Sequence, residues 1–400
     1  MTAGGRLAIL GGEPAFPEGL PFVRPARPPL DRVTARLGPS YDRGRLTNGP
    51  LVWELEAAVA RRLDVEHVVA VASCTSGLML VLQALASPGA PVVMPSFTFS
   101  ATAHAAAWMG AFPRFAECGP ADALLDPADA AARLDGAGAI VATHVFGAPC
   151  HPDEIEALGA KAGVPVVFDA AHAFGALHRG RPVGGFGSAE VFSLSPTKPL
   201  VAGEGGLVTT DDADLADRVR TGRDYGNPGD YDTRFAGLNA RLSELHAAVA
   251  LESLLELDDH LARRRELADA YRDLLTPLPG VSVQHVDPAD ESTYKDLTIV
   301  VDETAFGVPR DHVVASLRAE GIDTRCYFWP PVHRQRAYRD LPASELPTTD
   351  WLAARVVSLP LWRALSDDDV KAVSMVLSAI HEHADEIGRA QPGGQPCASS

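Results

Sequence analysis

The stretch VPVVFDAAHAFGALHRGRPVGGFGSAEVFSLSPTKPLVAGEGGLVTT, residues 164–210, holds three short apolar runs, Val164–Phe168, Ala189–Ser193 and Gly206–Thr210. Runs that stay apolar, rather than alternating with polar residues, belong to strands covered on both faces. The same texture recurs upstream at Val68–Ala72, Pro91–Met94 and Ala139–Thr143. Between most of these runs lie Ala/Leu-rich stretches with helical spacing, Thr75–Ala86, Ala101–Met109 and Asp153–Ala162. This alternation predicts an α/β fold with a mostly parallel central sheet covered by helices.

Downstream the pattern changes. Ser243–Leu275 reads as one long helical stretch that turns from apolar to charged near Asp258. A smaller α+β pattern follows, with strands near Leu297–Val301 and Thr324–Cys326 and helices at Arg310–Ala319 and Asp367 to about His383. The reading is a large domain over 1–257, a small C-terminal α+β domain over 258–388, and a Gly/Pro/Ser-rich, disordered tail over 389–400.

The 400 residues include 35 Lys+Arg against 52 Asp+Glu, a net charge of −17. That balance opposes non-specific nucleic-acid binding, which needs cations to displace counterions. Hydrophobic residues, at 46%, suffice for a large core and exclude disorder as the main state. The five cysteines are widely spaced with no C-x-x-C, which suggests neither a disulfide framework nor a zinc site. No apolar run approaches the ~20 residues of a membrane span and no signal peptide is evident, so a cytoplasmic protein is expected.

In an open α/β sheet, ligands sit beyond the carboxyl ends of the strands. The first strand is followed by Ser73-Cys74-Thr75-Ser76-Gly77, a small polar turn that either caps a helix or holds a phosphate on its N–H groups. The second leads to Phe97 and Phe99, which are either core or a stacking face for a flat ring. Asp169 follows the fourth; it is either a cap or a carboxylate facing a cationic ring nitrogen. A metal is disfavoured, because His172 alone does not make a ligand set. The fifth leads through Ser193 to Lys198, which is either a surface charge or a desolvated, nucleophilic amine. GEGG (203–206) matches neither the Walker nor the Rossmann spacing. A phosphate turn, a stacking aromatic, an acid and a lysine together suit pyridoxal 5′-phosphate (PLP).

These motifs resemble the DegT/DnrJ family of fold-type I PLP aminotransferases acting on sugars, from about Gly11 to about Ala384. FDAAHAFGA (168–176) is similar to the family's cofactor-aspartate motif. FSLSPTK (192–198) with GEGG is similar to its Schiff-base motif, and GLNARLSELHAAV (237–249) to the segment whose Asn crosses the dimer interface. TNGPLVWELE (47–56), PSFTFSATAHA (95–105), CYFWPPVHRQRAYRD (326–340) and SLPLW (358–362) also fit. The resemblance implies that Lys198 is the Schiff-base lysine, Asp169 the partner of the pyridine nitrogen and His172 a neighbour of the ring hydroxyl. Phe99 would stack on the ring. Cys74, Thr75, Ser193 and, from a second copy, Asn239 would hold the phosphate. Cys74 stands where the family usually has Gly, and a Cβ there restricts the turn's backbone.

Within the family, GGEPAF (11–16), NGPLV, AEVFS and the His333 element resemble desosamine-type dTDP-4-keto-6-deoxyglucose 4-aminotransferases. This implies a homodimer with shared active sites, L-glutamate as amino donor, pyridoxamine phosphate as the cofactor's second form, and a nucleotide-diphosphate sugar as acceptor. A 3-keto sugar or a cyclitol is the alternative acceptor. Arg223, Lys295, Arg325 and His333 are candidates for the diphosphate and Tyr327 for the sugar; each is otherwise surface charge or core. A dehydratase of the family would have His at position 198. A non-catalytic PLP-binding regulator would have lost Lys198 or Asp169, and a Rossmann dehydrogenase would need G-x-G-x-x-G.

Overall fold

The computed structural model describes residues 6–341 and 345–390. Its strands in chain order are β1 (His67–Val71), β2 (Pro91–Pro95), β3 (Phe112–Ala116), β4 (Ala139–Thr143), β5 (Val166–Asp169), β6 (Leu177–His178), β7 (Arg181–Pro182), β8 (Ala189–Ser193), β9 (Gly206–Thr210), β10 (Val281–Val283), β11 (Leu297–Val301) and β12 (Val356–Leu359). The main sheet has seven strands in the order β1-β9-β8-β5-β4-β2-β3. Only β9 runs against its neighbours; β8, β5, β4, β2 and β3 pair in parallel. The fold is α/β, with a mostly parallel sheet. β2, β4 and β8 are buried along their whole length, as continuous apolar runs require.

The helices that flank this sheet are α1 (Leu30–Asp42), α2 (Pro50–Leu63), α3 (Cys74–Leu85), α4 (Ser100–Trp108), α5 (Pro127–Ala132), α6 (Pro152–Ala162), α7 (Ala213–Gly222) and α8 (Glu244–Leu254). α3 starts on a capping box between Ser73 and Ser76. It lies so near β8 that a Cβ at Gly77 would stand 2.7 Å from Val191 Cγ1. Strand β3 escaped the sequence reading because it contains Pro113. It lies at the sheet edge, where a missing N–H leaves no ladder bond broken.

The second core surrounds the antiparallel sheet β10-β11-β12. It is built with α9 (Leu257–Leu275), α10 (Glu303–Phe306), α11 (Arg310–Ala319), α13 (Asp367–Glu382) and α14 (Ala384–Ala390), whereas the intervening α12 (Pro347–Ala353) buries Leu352 and Ala353 in the core of the main sheet. The expected single helix over Ser243–Leu275 is two helices, α8 and α9, separated at Leu255–Glu256. α8 packs on α1 and α2, and α9 packs on α13, so the break lets adjacent segments serve different cores. No strand forms at Thr324–Cys326; Arg325 makes one isolated bridge to Ser358 of β12. Leu7 and Leu20 are buried in the second core, so the stretch 1–257 does not pack as one body. Of the expected tail, Arg389 and Ala390 end α14; 391–400 lie outside the described residues.

Candidate active site

The carboxyl ends of β1, β2, β4, β5 and β8 open into a cavity of about 360 Å³, within the ~300–1,000 Å³ of small-molecule sites. Asp169 closes β5 at its base, and both carboxylate oxygens are engaged. Thr102 Oγ1 donates to Oδ2 at 2.7 Å, and the Ala171 N–H donates to Oδ1 at 3.1 Å. The Cys74 thiol lies 3.8 Å from Oδ1 and 3.4 Å from the Val191 carbonyl. Burial first, and then Asp169, raise the Cys74 pKa well above its usual value, so the thiol stays a donor. Cys74 occupies the first position of α3, and its backbone avoids positive φ. The side chain in place of the usual glycine is therefore accommodated.

The sequence reading missed a run of hydroxyls leading to Asp169. Thr143 Oγ1 meets Thr98 Oγ1 at 3.2 Å, and Thr98 meets Thr102 at 3.0 Å. The available signal was the pair of threonines four residues apart in TFSAT (98–102). Behind them, Phe97 is fully buried against Phe146 and Phe328, whereas Phe99 is 61% exposed and lines the cavity. The two aromatics thus divide the two readings between them.

Lys198 sits on a turn held shut by Leu194 N–H to Gly205 O (2.9 Å) and Ala202 N–H to Leu194 O (2.8 Å). Its side chain lines the cavity and has no hydrogen-bond or ion-pair partner among the described residues. Desolvation, reinforced by the Lys295 charge, lowers its pKa to about 8. His172 is buried, and its Nδ1 accepts the Phe146 N–H at 3.2 Å. Burial, then Lys198 and Lys295, hold its pKa well below the ordinary value. The neutral ring therefore carries its proton on Nε2.

The opposite wall comes from the two residues that lead into β11 and from the 327–328 stretch. Lys295, Asp296, Tyr327 and Phe328 line it. The Lys295 ammonium bonds Asp296 Oδ1 at 2.7 Å and lies 5.9 Å from the Tyr327 ring centre. Tyr327 is half-buried, and desolvation followed by Asp296 raises its pKa. The buried Arg264 fastens this wall by donating to the carbonyls of Thr293, Tyr294 and Lys295. Neither Asp296 nor Arg264 was singled out in the sequence, where both read as ordinary surface charges.

The cavity does not collect every expected residue. Arg223 is buried elsewhere, donating to Glu56 Oε1 (2.5 Å) and the Ala70 carbonyl (2.6 Å). It ties the end of α7 to β1 and α2, a structural role in place of the expected substrate contact. Arg325 donates to Asp323 Oδ1 at 2.5 Å and covers the Phe22 ring, outside the cavity lining. His333 Nδ1 meets Ser96 Oγ at 2.6 Å, and its Nε2 stands 3.2 Å from Asp350; it anchors its loop to the residue that follows β2, outside the cavity lining. Asn239 is exposed outside the lining and accepts from Arg241 Nη2 at 3.2 Å. Ser193 lines the cavity, and its hydroxyl lies 3.3 Å from Ser195 Oγ.

Residues 31–378 match the DegT/DnrJ/EryC1/StrS aminotransferase family. The chain belongs to this family. It is similar to DesI, solved in the presence of its TDP-sugar product, at 40% identity and a TM-score of 0.90, over 96% of this chain and 98% of that one. It is similar to DesV of S. venezuelae, solved in complex with a ketimine intermediate, at 32% identity and a TM-score of 0.82, over 90% and 99%. The sugar aminotransferase CalS13 of Micromonospora echinospora matches at 31% identity and a TM-score of 0.83, over 90% and 99%. The chain is a PLP-dependent sugar aminotransferase of fold type I.

The cavity fits the family's cofactor on its own chemistry. It offers an unpartnered amine at Lys198, an anchored carboxylate at Asp169 and an exposed ring at Phe99. The opening N–H groups of α3, at Cys74 and Thr75, are the orphan donors of a helix start.

Proposed function

We propose that this aminotransferase moves an amino group from L-glutamate to a nucleotide-linked keto-deoxysugar, dTDP-4-keto-6-deoxyglucose, in deoxyaminosugar biosynthesis for a natural product. The observation that carries the chemistry is the juxtaposition of the unpartnered Lys198 amine with Asp169 and His172 in one cavity. The sugar leans on the 40% identity to DesI, whose structure holds a TDP-sugar.

In this reading, bound PLP supplies a reactive carbonyl and an electron-accepting ring. Asp169 would hold a proton at the ring nitrogen, and Thr102 and the Ala171 N–H keep its carboxylate in place. His172, with its proton on Nε2, would donate to the ring oxygen. Phe99 would cover a ring face, and Cys74, Thr75 and Ser193 would hold the phosphate. Lys198 Nζ takes the proton from the donor's α-carbon and returns one to the sugar carbon that receives nitrogen. Its lowered pKa suits both transfers near neutral pH. The working form is a cytoplasmic homodimer in which Asn239 completes the phosphate site of the partner copy. Among the described residues no helix is long and apolar enough to cross a membrane.

The test is a visible absorption spectrum of wild type beside Lys198→Ala. L-glutamate should bleach the wild-type cofactor band, and dTDP-4-keto-6-deoxyglucose should restore it. Bleaching without restoration keeps the transaminase and discards this sugar. For the shared site, Asn239→Ala should weaken cofactor retention; equilibrium dialysis showing unchanged PLP affinity would remove the dimer argument.

A further inference from the structure

Asp296 is 3% exposed and lines the cavity. Its Oδ1 takes the Lys295 ammonium at 2.7 Å, but its Oδ2 is buried without any partner. An unsatisfied buried acceptor costs roughly 1–3 kcal/mol, so it is retained where a ligand group completes it. Its chemistry selects the group. A carboxylate paired to an ammonium accepts hydrogen bonds and repels anions, which excludes a diphosphate or a donor carboxylate at Oδ2. A hydroxyl donates to it. The acceptor is also preorganised. Arg264 grips the carbonyls of Thr293, Tyr294 and Lys295, and the Lys295 N–H donates to the Phe146 carbonyl at 2.8 Å.

Resting on the sugar reading above, we propose that Asp296 Oδ2 accepts a hydrogen bond from a ring hydroxyl of the sugar, with Lys295 as the positioning residue that holds the carboxylate in place. The pair thereby selects hydroxylated acceptors. Lys295 is committed to Asp296 rather than to the diphosphate for which its sequence position suggested it.

The test is a cycle between ligand and protein. Isothermal titration calorimetry of cofactor-loaded enzyme would use dTDP-4-amino-4,6-dideoxyglucose and its 2-deoxy and 3-deoxy counterparts, against wild type and Asp296→Ala. Wild type is expected to bind one of the deoxy ligands roughly 10–100-fold more weakly than the parent. Asp296→Ala should bind the parent and that ligand alike, within about twofold. If the Ala variant does not fold, Asp296→Leu replaces it; its apolar side chain of similar size neither accepts from nor donates to the hydroxyl and should lose the same discrimination. Equal binding of all three ligands by wild type, or discrimination surviving in the variant, overturns the proposal. If wild type binds none of the three while L-glutamate still bleaches the cofactor, the sugar assignment itself falls and takes the proposal with it.

Discussion

Two buried aspartates line one cavity, and their surroundings differ. Asp169, on the floor made by the parallel sheet, has both oxygens engaged, by Thr102, the Ala171 N–H and the Cys74 thiol. Asp296, on the facing wall just ahead of β11, has one oxygen engaged and one without a partner. A fully bonded carboxylate keeps one orientation whether or not a ligand is present, which suits a group that must stay aimed at a ring. A half-bonded carboxylate is completed by what enters. The floor is thus built for a resident molecule and the wall for one that comes and goes.

The contrast breaks hardest at Lys198. Lys198→Ala should lower amino transfer by about 10⁴-fold, the upper range for a group moving protons. Binding of the aminosugar nucleotide, measured by calorimetry, should change far less, because that contact belongs to the wall. Arg223 tests whether a buried cation outside both regions matters to chemistry. Arg223→Met leaves Glu56 without its ion-pair partner and should cost about 3–5 kcal/mol in urea unfolding. KM for the sugar should stay within about twofold for the folded variant; a tenfold rise would return Arg223 to the binding site.

A pH series links floor to wall. The neutral Lys198 amine is the nucleophile that captures PLP, and its pKa is lowered to about 8, partly by Lys295. Cofactor capture by the cofactor-free protein should fall about tenfold per unit below that pH and level off above it. Lys295→Met removes a like charge and should move the inflection upward; an unmoved inflection would uncouple the two regions. The smallest effect is expected at the border, where Phe99 is partly in solvent. Phe99→Ala should raise the PLP dissociation constant by about 2–10-fold in a fluorescence titration, the range of one aromatic contact.

The floor was legible because its chemistry is local. Asp169 and Ser193 end strands whose apolar runs stand out, and the Ser73–Gly77 turn and the Lys198 loop follow directly from strands. Strand β3 and the break at Leu255–Glu256 were not legible. Pro113 reads as a strand breaker until its edge position is known, and α8 and α9 share one continuous helical pattern. Arg223 and His333 misled for the opposite reason: a charge or ring in a polar stretch looks available until its partners, Glu56 and Ser96, are seen to be distant in sequence.

The order of apolar runs and the residues ending them determined, without coordinates, the α/β class, the cofactor and the residues expected to meet it. Only the tertiary structure decided which charges face the cavity. That choice depends on contacts between segments far apart in the chain: Arg264 on the 293–295 carbonyls and Lys295 beside Phe146. Periodicity reports what each segment buries, not what it is buried against.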